Sequence, residues 1–175
     1  MGAGEGHSAA VAGHAARVAS ELGWGNDEIG QLRVAARLHD VGKFAVPGRI
    51  LQKPGRLTPA EFEQVRCHPT VGAQIVARID GMQPIADWIA ASHEHFDGSG
   101  YPRGLAGEEI PQAARILLVA DAFDAMTSDR CYRRAMSAET AMAELRAHAG
   151  GQFDPACVDA LCKSLLRASD LVGAA

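Results

Sequence analysis

The stretch His39-Asp40-Val41-Gly42-Lys43 places an imidazole, a carboxylate and an amine close together at the end of a predicted helix. That helix is expected to begin near Asn26, because apolar side chains then recur every three or four residues on the face that His39 completes. Gly42 is expected to end it. A lone histidine on an apolar face is more often structural than functional. The meaning of the stretch therefore depends on which other residues the fold brings to it.

Four further residues with metal-binding side chains lie on apolar faces or at the ends of other predicted helices: His7, His68, His93 and Asp121. The Asp121 carboxylate follows an apolar run, where burial is costly unless the group is paired or binds a metal. An ion pair with Arg115 or Arg130 is the alternative for it. Imidazole and carboxylate together suit zinc, iron, manganese or nickel. The pattern predicts a metal site that draws on these four residues together with His39 and Asp40.

The composition favours an all-α fold. Alanine, the strongest helix former, supplies 33 of the 175 residues, whereas valine, isoleucine and threonine together supply 23. Glycine and proline divide the chain into predicted helices at about residues 5–22, 26–42, 58–67, 69–80, 84–94, 112–127, 138–148 and 155–167. Residues 43–57 and 95–110 are expected to be loops.

Charge and cysteine usage argue against several classes of protein. The formal net charge is -4, which disfavours general binding to nucleic acid. The four cysteines include no CxxC pair, so neither a zinc knuckle nor a disulfide framework is indicated, and they fit a reducing cytosol. No apolar run approaches the length of a membrane span. We therefore expect a cytoplasmic protein with no nucleic-acid partner and no membrane partner.

A second motif lies in the predicted loop after residue 93. The segment His93-Glu94-His95-Phe96-Asp97-Gly98-Ser99-Gly100-Tyr101-Pro102 is rich in glycine and ends in Gly100-Tyr101-Pro102. Together with His39-Asp40-Val41-Gly42-Lys43, it resembles the paired signatures of the HD-GYP group of HD-domain metal-dependent phosphohydrolases. The resemblance covers nearly the whole chain. It implies a compact multi-helix bundle with a constrained GYP loop.

The resemblance also implies a domain organisation and a set of partners. Residues 1–170 would form a single HD-GYP domain, with any upstream regulatory domain absent from the chain. Residues 171–175 are expected to be a frayed end from the sequence itself. The expected partners are cyclic di-GMP, diguanylate cyclase (GGDEF) domains that dock through the GYP loop, and a second copy in a homodimer.

The activity implied by the resemblance is hydrolysis of cyclic di-GMP to linear pGpG, and in some members to GMP. A hydroxide held between two divalent metal ions would be the nucleophile, with iron or manganese favoured and nickel or zinc as alternatives. The first ion would be held by His7, His39, Asp40 and Asp121, and the second by Asp40 as a bridge with His68 and His93. Asp40 and Lys43 would be the catalytic residues. The substrate would be bound by Lys43, Gly100, Tyr101, Arg130 and Arg133.

Three positions depart from the family pattern. Ser92 stands where most relatives carry a histidine ligand, Ala3 where some carry a glutamate for a third metal, and Cys131 where proline is usual. Ser92 keeps open a degenerate module that binds nucleotide or a signalling partner without turnover. An HD phosphohydrolase with another nucleotide substrate is a further alternative. Among the remaining histidines, His14 and His148 are expected at the surface and His95 at most beside the ligands.

Overall fold

The computed structural model describes residues 3–129 and 134–173, and it confirms the all-α fold class. Within these ranges the regular structure consists of helices and no strand. The α-helices are α1 (Ala3–Glu21), α2 (Asn26–Leu38), α3 (Gly48–Leu51), α4 (Pro59–Arg66), α5 (His68–Val76), α6 (Gln83–Ala90), α7 (Gln112–Thr127), α8 (Ala138–Ala147) and α9 (Pro155–Gly173). Two 3-10 turns cover Val41–Ala45 and Gly107–Glu109.

Local capping explains where several helices begin. The Thr58 side chain accepts a hydrogen bond from the Glu61 amide, and the Glu61 carboxylate accepts one from the Thr58 amide. This reciprocal pair satisfies two backbone donors that the first turn of a helix leaves unpaired. The Ser137 hydroxyl caps α8 with a single bond, accepting from the Thr140 amide. The long helix α7 has the predicted bounds of residues 112–127.

The structure differs from the predicted elements in several places. Helices α5 and α6 end at Val76 and Ala90, four residues before their predicted ends. Helix α2 ends at Leu38, and Gly42 lies in the following 3-10 turn rather than at the helix end. The predicted loop 43–57 contains the short helix α3, which forms because one turn there buries the Ile50 side chain. Helix α9 continues to Gly173 because no glycine or proline interrupts it after Pro155. It thus includes part of the segment expected to be frayed.

The core is built around α7, whose apolar side chains are buried on most of its circumference. Helix α1 packs against α2, α7 and α9, and α5 packs against α6 and the Val41–Ala45 turn. Gly42 permits the contact between this turn and α5, because a Cβ atom there would lie 1.9 Å from the carbonyl oxygen of His68. This close approach brings the end of α2 beside the start of α5. Across the described residues, no helix has both the length and the apolar character required to cross a membrane.

Candidate metal centre

Three helices contribute the first group of possible metal ligands: His7 from α1, His39 from the end of α2 and Asp121 from α7. Their ligand atoms all lie within 4.8 Å of one another. The Asp121 Oδ1 atom is 3.2 Å from His7 Nε2 and 3.9 Å from His39 Nε2. The alternative of an Arg115 partner for Asp121 is wrong, because Arg115 pairs with Asp154 at 2.6 Å instead.

The second group consists of Asp40, His68 at the start of α5, and His93 just after α6. These ligand atoms also lie within 4.8 Å of one another. The Nε2 atoms of His68 and His93 are 3.1 Å apart, and Asp40 Oδ1 is 3.7 Å from His68 Nε2. The structure therefore brings together all six residues predicted to bind metal, in two groups of three.

The two groups adjoin each other through neighbouring residues. Asp40 Oδ1 in the second group is 3.5 Å from His39 Nε2 in the first. Both atoms are buried, and neither has a hydrogen-bond partner within the described part of the chain. Burying polar atoms without partners is costly, and imidazole nitrogen with carboxylate oxygen is a common donor set for divalent transition metals. The residues present could hold divalent metal ions, with Asp40 positioned between the two groups.

Backbone and side-chain acceptors fix the orientation of the histidine rings. His39 Nδ1 donates to the carbonyl of Ala36 at 2.7 Å, and His68 Nδ1 donates to the carbonyl of Val65 at 2.8 Å. These bonds leave Nε2 free to bind a metal and hold each ring in place, as is common for metal-binding histidines. His7 Nδ1 donates in the same way to the carboxylate of Asp124 at 2.5 Å.

Asp124 is the functional candidate that sequence reasoning missed. It is buried, and its other oxygen accepts a hydrogen bond from the Ser128 hydroxyl at 3.3 Å. The available signal was its spacing, because a residue three positions after Asp121 on one helix lies on nearly the same face. Its carboxylate orients the His7 ring and adds negative charge behind it.

The electrostatic environments of the two groups differ. In the first, the hydrogen bond to Asp121 outweighs burial and raises the pKa of His7 to about 9, with Asp124 adding to the increase. In the second, burial and then the neighbouring His68 ring lower the pKa of His93 to about 4. Burial also lowers the pKa of His68. Before any metal binds at neutral pH, His7 therefore carries a proton, whereas His68 and His93 are neutral.

Lys43 and Tyr101, predicted to contact substrate, lie beside the second group. Lys43 Nζ contacts Asp40 Oδ2 at 2.6 Å. Burial alone would raise the pKa of Asp40, but the neighbouring His39 ring and the Lys43 ammonium hold it below its ordinary value. The Tyr101 ring is parallel to the His93 ring, with 5.2 Å between centroids and 2° between planes.

The loop that carries Tyr101 is tightly constrained. A Cβ atom on Gly100 would lie 2.1 Å from the backbone nitrogen of His95, so the close approach requires glycine. The buried Glu94 carboxylate accepts hydrogen bonds from the backbone amides of Arg103 at 2.7 Å and Leu105 at 3.1 Å. These contacts fix the loop on both sides of Tyr101. Arg130 and Arg133, predicted to bind substrate, lie outside the described residues, as does Cys131.

The remaining predicted positions have other surroundings. Ser92 is buried, and its hydroxyl donates to the carbonyl of Ile89 at 2.8 Å. The expectation that His14 is a surface residue is wrong, because its Nδ1 is buried and its ring packs edge-on against Phe123. This occurs because α1 is covered by α7 at that turn. His148 is exposed as expected. His95 contacts the Ser99 hydroxyl at 3.0 Å.

The fold and this centre define an all-α domain with paired histidine and aspartate groups that could hold metal. The HD domain family profile matches residues 2–157, and the chain belongs to that family. The resemblance to the HD-GYP group is confirmed by curated relatives named as cyclic dinucleotide phosphodiesterases.

Two of these relatives illustrate the similarity. The chain is 42% identical over 158 residues to the cyclic di-GMP phosphodiesterase response regulator RpfG of Xanthomonas campestris pv. campestris, covering 89% of this chain and 42% of the relative. It is 40% identical over 160 residues to the 3'3'-cGAMP-specific phosphodiesterase 3 of Vibrio cholerae, covering 91% and 35% respectively. The chain thus spans less than half the length of these two relatives.

Solved structures support the fold. The V. cholerae cyclic GMP-AMP specific phosphodiesterase V-cGAP3 superimposes with a TM-score of 0.75 at 21% identity, over 95% of this chain and 45% of that one. The HD domain of the L. monocytogenes phosphodiesterase PgpH superimposes with a TM-score of 0.64 at 20% identity, over 97% and 92%. At these identities the similarity concerns the fold alone.

Proposed function

We propose that this chain is the catalytic domain of a metal-dependent phosphodiesterase that hydrolyses cyclic di-GMP to linear pGpG. The observation that carries the proposal is the adjacency of the two ligand groups, with Asp40 between them. Relatives named for cyclic di-GMP hydrolysis, at 42% identity, indicate the substrate.

The side chains around the centre would have separate roles in metal binding and substrate binding. Two bound divalent ions, iron or manganese by preference, would activate water and neutralise the oxygens of the scissile phosphate. His7, His39 and Asp121 would hold one ion and His68 and His93 the other, with Asp40 shared. The Lys43 ammonium would exchange its contact with Asp40 for one with a phosphate oxygen of the substrate.

Tyr101 would border the substrate on the side of His93. Its ring is held parallel to that imidazole, so a nucleotide at the centre would meet a fixed aromatic side chain rather than a flexible loop. Arg130 and Arg133 are proposed to contact the phosphates, on the resemblance alone. Docking of a GGDEF domain on the loop and formation of a homodimer are likewise proposals from the family.

The test is turnover of cyclic di-GMP by purified protein loaded separately with Mn²⁺ and Fe²⁺, with pGpG separated by chromatography. Asp40→Ala should abolish turnover because it removes the shared ligand. Asp159→Ala changes an exposed carboxylate on α9 and should retain the wild-type rate. Metal-loaded wild-type protein that leaves cyclic di-GMP intact would contradict the proposal.

A second candidate function is nucleotide binding without turnover. Ser92 favours it, because Ser92 stands where relatives usually carry a histidine ligand. Its hydroxyl donates a hydrogen bond to the carbonyl of Ile89 instead. Metal analysis separates the two functions. Two ions per chain with turnover support the enzyme, whereas zero or one ion with retained binding of cyclic di-GMP supports the binding module.

A further inference from the structure

An aromatic and cationic surface leads outward from the second ligand group. The rings of His68 and His93 meet edge-on at 4.8 Å, and Tyr101 is parallel to His93. Beyond Tyr101, the Phe62 ring lies edge-on at 6.2 Å, and Arg66 Cζ lies 5.0 Å from the Tyr101 centroid. Phe62 and Arg66 belong to α4, which ends just before the ligand His68. We call Phe62, Arg66 and Tyr101 the ring cluster.

Packing of the core does not account for this cluster. Phe62 is 44% exposed although it is a large apolar side chain. Arg66 Nη1 donates to the exposed Glu63 carboxylate at 2.8 Å, and it has no other hydrogen-bond acceptor within the described residues. The Tyr101 ring and Glu63 thus hold the guanidinium in one orientation while most of its N–H groups stay available. An exposed aromatic side chain beside a guanidinium is typical of surfaces that bind nucleobases.

We propose that the ring cluster binds a nucleobase of the substrate and that Arg66 makes the site select guanine over adenine. This inference rests on the proposed function, since it names the part of the substrate that lies beside the metal centre. Guanine presents two neighbouring acceptors, O6 and N7, that match the paired N–H groups of a guanidinium. Adenine presents N7 beside an amino donor, so one arm of the guanidinium would face another donor.

Substitutions at Arg66 distinguish base recognition from simple charge attraction. Glutamine matches the donor and acceptor pair of adenine, so Arg66→Gln should lower the preference for cyclic di-GMP over cyclic di-AMP about tenfold or more. Arg66→Lys keeps the positive charge. If Arg66 served only a phosphate, glutamine would weaken all cyclic dinucleotides equally and lysine would restore them.

The measurement is the ratio of kcat/KM for cyclic di-GMP, 3'3'-cGAMP and cyclic di-AMP, together with the Kd of each for the metal-loaded protein. The matched control is Arg78→Gln, because Arg78 is exposed and lies beyond the far end of α5 from His68. It should leave every ratio unchanged. Phe62→Leu should weaken binding of all three nucleotides without changing their order, since it removes stacking area only.

The outcomes separate this inference from the proposed function. If the protein shows no turnover but binds cyclic di-GMP in preference to cyclic di-AMP, and Arg66→Gln removes that preference, the proposed activity is overturned and the base site is supported. If the protein turns over cyclic di-GMP and Arg66→Gln leaves the kcat/KM ratios between nucleotides unchanged, the activity is supported and the base site is overturned. Equal losses for all three nucleotides, or no binding of any of them, would also overturn it.

Discussion

Replacing Glu94 should release the loop that carries Tyr101. The Glu94 carboxylate is 1% exposed and accepts the backbone N–H groups of Arg103 and Leu105. Glutamine keeps the shape but turns an amino group toward one donor, whereas alanine removes both acceptors. A buried donor left without an acceptor costs about 1–3 kcal/mol. Both loop residues are partly exposed, so water can recover some of this loss.

We therefore expect the free energy of unfolding to fall by about 1–2 kcal/mol in Glu94→Gln and by about 3 kcal/mol in Glu94→Ala. For a domain of this size each kcal/mol lowers Tm by about 2–4 °C, which thermal denaturation followed by circular dichroism resolves. Glu108→Gln changes an exposed glutamate of the neighbouring 3-10 turn and should stay within about 0.5 kcal/mol of wild type. A Glu94→Ala protein as stable as the Glu108→Gln control would contradict this role of the Glu94 carboxylate.

Three further predictions concern the candidate metal centre. Gly42→Ala should destabilise the fold by about 3 kcal/mol and weaken metal binding, because its Cβ would meet the His68 carbonyl at 1.9 Å. Gly30→Ala should not destabilise the fold, because a Cβ there would have no atom within 4 Å. Denaturant unfolding and metal titration of both variants make the comparison. Asp124→Asn should weaken binding of one ion about 10–100-fold by removing the charge behind His7, which competition with a chelator measures; unchanged affinity would contradict that role. Metal binding near pH 7 should release about one proton from His7, whose pKa is raised to about 9, and calorimetry in buffers of different ionisation enthalpy counts it.

The sequence predicted the fold class and the six clustered residues because both depend on local signals. Helical periodicity and glycine or proline breaks define most elements, and the histidines stand at the ends of those elements. What could not be predicted depends on contacts between distant segments. The role of Asp124 follows from α1 packing on α7, which places His7 at 2.5 Å from a residue 117 positions away. The requirement for Gly42 likewise follows from its approach to the backbone of α5 rather than from its own turn.

Metal binding at the two ligand groups should depend differently on pH, because their charges differ. The first places the Asp121 and Asp124 carboxylates around His7, so it combines the stronger negative charge with a proton that must leave. The second contains two neutral imidazoles, and the Asp40 carboxylate in it forms an ion pair with Lys43. Raising the pH from 6 to 8 should therefore raise the metal affinity of the first group by about tenfold per pH unit. The metal affinity of the second group should stay nearly unchanged. Two binding steps with the same pH dependence would contradict this division.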